Sequence, residues 1–373
     1  MLFEQGPIRP PSEAKSLLLR LTRNCPWNRC LFCNTYSGES FSRRPVDEIK
    51  RDVDAVAGII DRLREESSRM GCGGEIDGNV LAEVYRGGNY QVMHVASWLY
   101  QGGRTVFLQD ANSLIMKTAE LVEVIRYIRD RLPTVERLTS YARSGTLLRK
   151  SREELLEIRA AGLERLHVGM ESGSDAVLEF MRKGVTAAGH AEAGRKAVEA
   201  GFSLCLYVIL GLGGRLWPEE HPVETARVLN QINPDYIRFR TLAVPEDTAL
   251  YAKLAAGEFS EQTEDEIVAG ERLLIERLEG INSRVVSDHM LNLLEEVRGK
   301  LPGDKEYMLS VIDRYLSLPE SERINFRLGK RAGLYRRLDD RLDPVRHARV
   351  EAVVQRLGGR LDGTISSMMA NML

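Results

Sequence analysis

The sequence predicts an α/β protein: an open, partial (β/α)6 parallel barrel followed by a helical C-terminal extension. Three observations predict it. Apolar runs of strand length alternate with amphipathic helical stretches from residue 16 to about residue 245. The runs number six, too few for a closed barrel of eight units. Helix-length segments separate them, and strands joined by such crossovers run parallel. On this pattern the barrel domain covers 1–250, with a helical insertion at about 64–103, and the helical region covers 251–373.

The first strand is 16–22, a run of leucines. Residues 46–63 place Val46, Ile49, Val53, Val56, Ile59, Ile60 and Leu63 at helical spacing. Residues 64–103 are rich in glycine and less regular, with a helix at 90–99. A regular rhythm follows: strand 105–108, helix 118–130, strand 135–141, helix 151–161, strand 166–170, helix 186–200, strand 202–210, helix 222–232 and strand 236–242. Gly162 and Gly201 stop two of these helices, because glycine enters the left-handed region cheaply. Beyond 245 the spacing predicts helices at 263–278, 288–299, 305–316 and 344–357, with Ser287 or Asp288 capping the second. Ligands of such a sheet sit at the carboxyl ends of its strands.

Composition excludes several classes. Lysine and arginine number 52 against 54 acidic residues, a net charge of -2, so no chain-wide field for nucleic acid exists, although a local patch stays open. Basic residues are dense over 323–349, which reads either as a solvated helical face or as a groove for an acidic substrate. The N-terminal segment lacks the basic start and apolar run of a signal peptide, and no apolar run is long enough to span a bilayer. A cytoplasmic, reducing location is expected. Five cysteines are too few for a disulfide scaffold.

Three of the five lie together in Cys25-Pro-Trp-Asn-Arg-Cys30-Leu-Phe-Cys33, a C-x4-C-x2-C spacing directly after the first strand. A structural zinc site would want a fourth Cys or His nearby, and the first histidine is His94. Three close thiolates without a fourth point to a [4Fe–4S] cluster with one iron open to a small ligand. The thiols alone leave zinc open.

With Phe32 at the aromatic position before Cys33, this loop resembles that of the radical S-adenosylmethionine (radical SAM) superfamily, usually C-x3-C-x-φ-C, where φ is aromatic. The first gap is one residue longer here. The second strand ends Gln109-Asp110-Ala111-Asn112, similar to an acidic D-x-N ending in the family; the resemblance implies that Asp110 accepts from the ammonium of SAM, supported by Asn112. Gly169-Met170-Glu171-Ser172-Gly173-Ser174 looks like the family's G-x-E-S-G-S segment, which implies that Glu171 contacts the ribose or methionine part of SAM with Ser172 close by. Leu210-Gly211-Leu212-Gly213-Gly214 is similar to a G-L-P-G segment that flanks adenine, with Leu210 as apolar contact and Gly211 in the turn. Arg143, after the third strand, is placed to hold the SAM carboxylate.

The resemblance covers roughly residues 16–250 and implies a TIM-like radical SAM core. It is nearest the Elp3, MiaB and HemN-like branch, although the extra C-x-C of the porphyrin oxidases is missing. It implies a [4Fe–4S] cluster at Cys25, Cys30 and Cys33, S-adenosyl-L-methionine, an electron donor such as flavodoxin or ferredoxin, and hydrogen abstraction from a small or macromolecular substrate that the sequence does not identify. The alternative is a non-catalytic Fe–S or zinc protein on a decayed scaffold of this kind. His167 reads as a core or barrel-wall histidine, and Cys72 and Cys205 as ordinary buried thiols. Arg238 and Arg240 share one face of the last strand, directed either inward or outward.

Overall fold

The computed structural model describes residues 2–357. Its strands are β1 (Leu17–Arg20), β2 (Thr22–Arg23), β3 (Ser42–Arg43), β4 (Thr105–Gln109), β5 (Arg137–Ala142), β6 (Leu163–Glu171), β7 (Ser203–Leu210), β8 (Tyr236–Thr241), β9 (Arg284–Val286) and β10 (Gly299–Lys300). One sheet of eight strands has the order β1-β4-β5-β6-β7-β8-β9-β10. The recorded pairs from β1 to β9 are parallel, and β10 is antiparallel to β9. The first six strands of that sheet are the six expected from the alternation, so the α/β class holds. β9 and β10 extend it unannounced. The expected strand 16–22 stops at Arg20, after which β2 pairs with β3 in a separate hairpin.

The chain divides into two units interleaved in sequence. The first comprises Met1–Asn28, Gly38–Val168 and Lys196–Leu204. Within it lie α1 (Val46–Arg69), α2 (Gly78–Arg86), α3 (Tyr90–Tyr100), α4 (Thr118–Arg131), α5 (Ser144–Arg149) and α6 (Arg152–Ala161). Ser151 caps α6 in a box with Glu154, satisfying backbone donors at both positions. Gly162 ends the helix at φ 119°, where a side chain would also strike Arg129. His167 is buried against Glu13, with Nε2 3.5 Å from the carboxylate, and is a core histidine as expected.

The second unit comprises Arg29–Ser37, Gly169–Arg195 and Cys205–Leu373. It contains α7 (Asp175–Phe180), most of α8 (Ala187–Glu199), α9 (Glu220–Ile232), α10 (Ala249–Ala255), α11 (Glu264–Glu276), α12 (Lys305–Leu316), α13 (Glu320–Arg331) and α14 (Pro344–Leu357). Its apolar centre gathers Leu31, Val177, Met181, Leu212, Leu242, Leu250 and Phe259.

Two expectations for the C-terminal region are corrected. No helix forms at 288–299, although Leu291, Leu293, Leu294 and Val297 are buried as a helix face would be. Side chains compete for the backbone there. Ser287 donates to the carbonyl of Leu294 and Arg331 to those of Met290 and Leu291, while Asn292 reaches out of the segment to the carbonyl of Phe239 on β8. The basic segment, in turn, is not wholly solvated: Arg336, Arg337 and Arg346 line a cavity of about 560 Å³ together with Arg298, Glu295, Glu296 and Asp340. On α13, Arg327, Lys330 and Arg331 are buried and face Asp265, Glu295 and Glu264.

The Arg331–Glu264 pair is the deepest of these, with side chains 1% and 7% exposed. Removing one partner strands the other charge in a dry site. Arg331→Met is expected to cost about 3–5 kcal/mol, read as a lower urea midpoint, and Arg331→Met with Glu264→Leu is expected to regain much of it.

Glu271 on α11 is 3% exposed and its Oε1 has no hydrogen-bond partner. Burial pushes its carboxyl up from 4.5 to about 8. The folded carboxyl thus holds its proton more tightly than the unfolded one. That contribution is complete below pH 4.5 and is lost as pH rises to about 8. Glu271→Gln is expected to remove several kcal/mol, roughly 3–5, of this pH dependence, measured by denaturation across pH 5–9.

Candidate functional site

The first unit holds Cys25, Asp110, Asn112 and Arg143. The Cys25 sulfur receives the backbone N–H of Asn28 at 3.5 Å. Asp110, after β4, is fully buried, and its Oδ2 accepts from Arg20 Nε at 2.8 Å and Nη2 at 2.6 Å. Gly6 packs against it so closely that a Cβ there would lie 2.3 Å from Oδ1. Asn112 is equally buried. Its Oδ1 accepts from the Arg143 backbone N–H at 3.2 Å and its Nδ2 donates to Thr146 at 2.8 Å. The structure therefore joins Asn112 to Arg143 through the backbone. The Arg143 guanidinium itself lies 5.1 Å from the Trp27 ring centroid.

The second unit holds the other expected residues: Cys30, Phe32, Cys33, Glu171, Ser172, Leu210 and Gly211. Leu31 fixes the half-loop between Cys30 and Cys33. Its N–H donates to the Met181 carbonyl at 3.1 Å, and its carbonyl accepts from Leu250 N–H at 2.8 Å. Asn34 adds bonds of 2.9 Å to both oxygens of Asp247. Phe32 is half-buried, with Lys183 Nζ 5.9 Å from its ring centroid.

Glu171 ends β6 at φ 67°, a left-handed conformation costly for a non-glycine residue and characteristic of functional positions. Its carboxylate folds back over Gly169 and receives Lys183 Nζ at 3.0 Å. A Cβ at Gly169 would lie 2.0 Å from Glu171 Oε1 and 3.2 Å from Lys183 Nζ, so only glycine permits this arrangement. Leu210 is buried at the end of β7, and Gly211 follows at φ 82°.

The first turns of α9 bracket both segments. Ser172 is fully buried and bonded to His221 Nδ1 at 2.8 Å, while His221 Nε2 is 3.0 Å from the Ile209 carbonyl. A carbonyl only accepts, so Nε2 carries the proton, Nδ1 is the acceptor and the Ser172 hydroxyl donates. Burial lowers the His221 pKa to about 4, which keeps the ring neutral. Thr225 Oγ1 accepts the Gly173 N–H at 2.9 Å, and Glu220 accepts from Ser174 Oγ at 2.6 Å. Gly173 lies so near this helix that a Cβ would sit 2.4 Å from the Glu224 carbonyl.

Cys25, Cys30 and Cys33 form no disulfide; the first two are partly exposed and the third exposed. As soft donors on one irregular loop, with an N–H aimed at Cys25, they fit an Fe–S cluster by donor chemistry. Among the described residues no three His, Cys, Asp or Glu side chains are already gathered as a metal site. Cys205 is buried as expected, whereas Cys72 is partly exposed beside Asp77.

Sequence reasoning missed Lys183 and His221. Lys183 lies beyond the quoted motif. His221 directly precedes the predicted helix 222–232, yet it continues that helix's buried face through Thr225, Val228, Leu229 and Ile232. A polar residue in an apolar stripe was the available signal.

No helix among the described residues is long and apolar enough to cross a membrane. No curated protein matches the sequence. Among solved structures, Elp3 of the archaeon Methanocaldococcus infernus, lacking its N-terminus, is 15% identical, with 50% of this chain and 48% of that one covered and a TM-score of 0.40. Methylornithine synthase (PylB) is 16% identical, with 75% and 73% covered and a TM-score of 0.41. The radical S-adenosylmethionine methyltransferase TsrM of Kitasatospora setae is 15% identical, with 64% and 39% covered and a TM-score of 0.44. This chain thus spans about half of the Elp3 structure and less of TsrM. The family described as the Radical SAM superfamily matches residues 91–229, a span that begins after the cysteine loop and contains Asp110, Asn112, Arg143, Glu171, Ser172, Leu210 and Gly211. Over that segment, and not over the chain as a whole, the sequence is similar to the Radical SAM superfamily.

Proposed function

We propose that this protein binds a [4Fe–4S] cluster through Cys25, Cys30 and Cys33 and uses it to cleave S-adenosylmethionine reductively, abstracting hydrogen from a substrate. The observation that carries this reading is Glu171, held left-handed at the end of β6, paired with Lys183 and framed by glycines. A strained carboxylate at a strand's carboxyl end is placed to accept from ligand hydroxyl or ammonium groups.

When bound, the cluster supplies one electron to SAM, whose sulfonium bond then breaks to methionine and the hydrogen-abstracting 5′-deoxyadenosyl group. The chain's residues position and enclose. Glu171 accepts from SAM, Ser172 shapes the turn beneath it, and Leu210 and Gly211 offer an apolar edge and a bare backbone to adenine. Asp110 and Asn112, committed to Arg20, Thr146 and the Arg143 backbone, order the end of β4. Phe32 packs beside the half-loop that presents Cys30 and Cys33. The reading implies a small electron donor such as flavodoxin or ferredoxin for the reductive cleavage, and a reducing, cytoplasmic site of action for the thiols.

Anaerobic reconstitution with iron and sulfide, then dithionite and SAM, tests the reading. A brown protein that forms 5′-deoxyadenosine supports it. A brown protein that binds SAM without cleaving it, or a colourless zinc protein, overturns it in favour of a non-catalytic role.

A further inference from the structure

β8 alternates in character. Ile237 and Phe239 are fully buried on one face, and Arg238 and Arg240 occupy the other. The register pairs Tyr207 with Arg238 and Ile209 with Arg240, so both arginines share a face with Tyr207 toward the carboxyl end of the strand.

The two guanidiniums differ in what they have found. Arg238 is 6% exposed and bonded through Nη1 to Asp288, yet its buried Nε–H has no partner. Arg240 is half-buried, with its guanidinium 5.0 Å from the Tyr207 ring centroid. Among the described residues no carboxylate lies within 4.0 Å of it. The nearby Arg331 is taken up by Glu264 and two carbonyls. His289 is kept neutral by burial and by Arg240, its pKa lowered to about 4. Two arginines against Asp288 thus leave one uncompensated positive charge in a partly desolvated place.

An unneutralised, half-buried guanidinium is costly unless a ligand completes it. Stacking on Tyr207 fixes the plane of Arg240, and a planar fork is matched to carboxylate or phosphate oxygens.

We propose that Arg240, with the unpartnered Nε–H of Arg238 on the same strand face, is the subsite for an anionic group, carboxylate or phosphate, of the substrate. This rests on the radical SAM reading and names the class of substrate it takes.

The full-length protein is titrated calorimetrically with inorganic phosphate and, separately, with succinate; the arm that binds identifies the anion. Arg240→Gln is expected to weaken that binding at least tenfold. Arg240→Lys, which keeps the charge but loses the fork, is expected to be intermediate and covers the case in which the first variant folds poorly. Arg272→Gln, at an exposed pair with Asp313, is expected to change nothing. Absence of binding by either anion, or equal binding by Arg240→Gln, overturns the subsite. Displacement of the anion by SAM overturns it too, because the guanidinium would then serve the carboxylate of SAM. The 5′-deoxyadenosine assay is independent. Anion binding without SAM cleavage sinks the radical reading and leaves the anion site standing; cleavage without anion binding sinks the subsite alone.

Discussion

Cys30→Ala is expected to leave the protein folded and to abolish both the visible absorption of the reconstituted cluster and the formation of 5′-deoxyadenosine. Three thiolates are the fewest that hold such a cluster with one iron open, so losing one removes the centre rather than weakening it. The expected loss of cleavage is at least about 10³-fold, or about 4 kcal/mol of barrier. Folding is spared because the Leu31 backbone, bonded to Met181 and Leu250, anchors the loop independently of the substitution. Iron content, absorption and product yield on one preparation check this. Retained cleavage would show that the ligands are assigned wrongly.

His221→Leu is expected to have the next largest effect, on stability and SAM affinity together. The substitution leaves the Ser172 hydroxyl and the Ile209 carbonyl buried without partners, at about 1–3 kcal/mol each. The turn bearing Glu171 then loses its tie to the end of β7, and SAM binding should weaken at least tenfold by equilibrium dialysis. His221→Gln can still donate to Ile209 and is expected to recover part of the loss. Unchanged affinity in His221→Leu, with only lowered stability, would reduce the residue to a packing role. The ring also has an acid signature. Its pKa is lowered from 6.5 to about 4, so its contribution is complete above pH 6.5 and is lost as pH falls toward 4. Protonation would turn Nδ1 from acceptor into donor against the Ser172 hydroxyl. His94 and His289, also lowered to about 4, add to the same acid sensitivity.

The alternating barrel was legible because buried parallel strands and amphipathic helices write different periods into the chain. The strands β4 to β8 fall close to where the apolar runs place them. What escaped was structure set by long-range partners. The buried leucines at 291–294 look helical, but Ser287 and Arg331 bind the carbonyls that a helix would use. β9 and β10 are short and register only as partners of a neighbouring edge. The motif residues were legible by type and spacing, while their environment was not. Nothing local announces that Asp110 meets Arg20, 90 positions away, or that Ser172 meets His221, 49 away.

The cysteine loop has one rigid stretch. Between Cys30 and Cys33 the two peptides flanking Leu31 are both held, one by its N–H and the other by its carbonyl, and a tight turn returns Cys33 N–H to the Cys30 carbonyl at 3.2 Å. An insertion there would break three bonds at once. Upstream, Asn24 and Asn28 adopt left-handed angles of 66° and 47°, the kind of backbone that absorbs an added residue without disturbing its neighbours. An added residue is therefore expected to disturb the loop less between Cys25 and Cys30 than between Cys30 and Cys33.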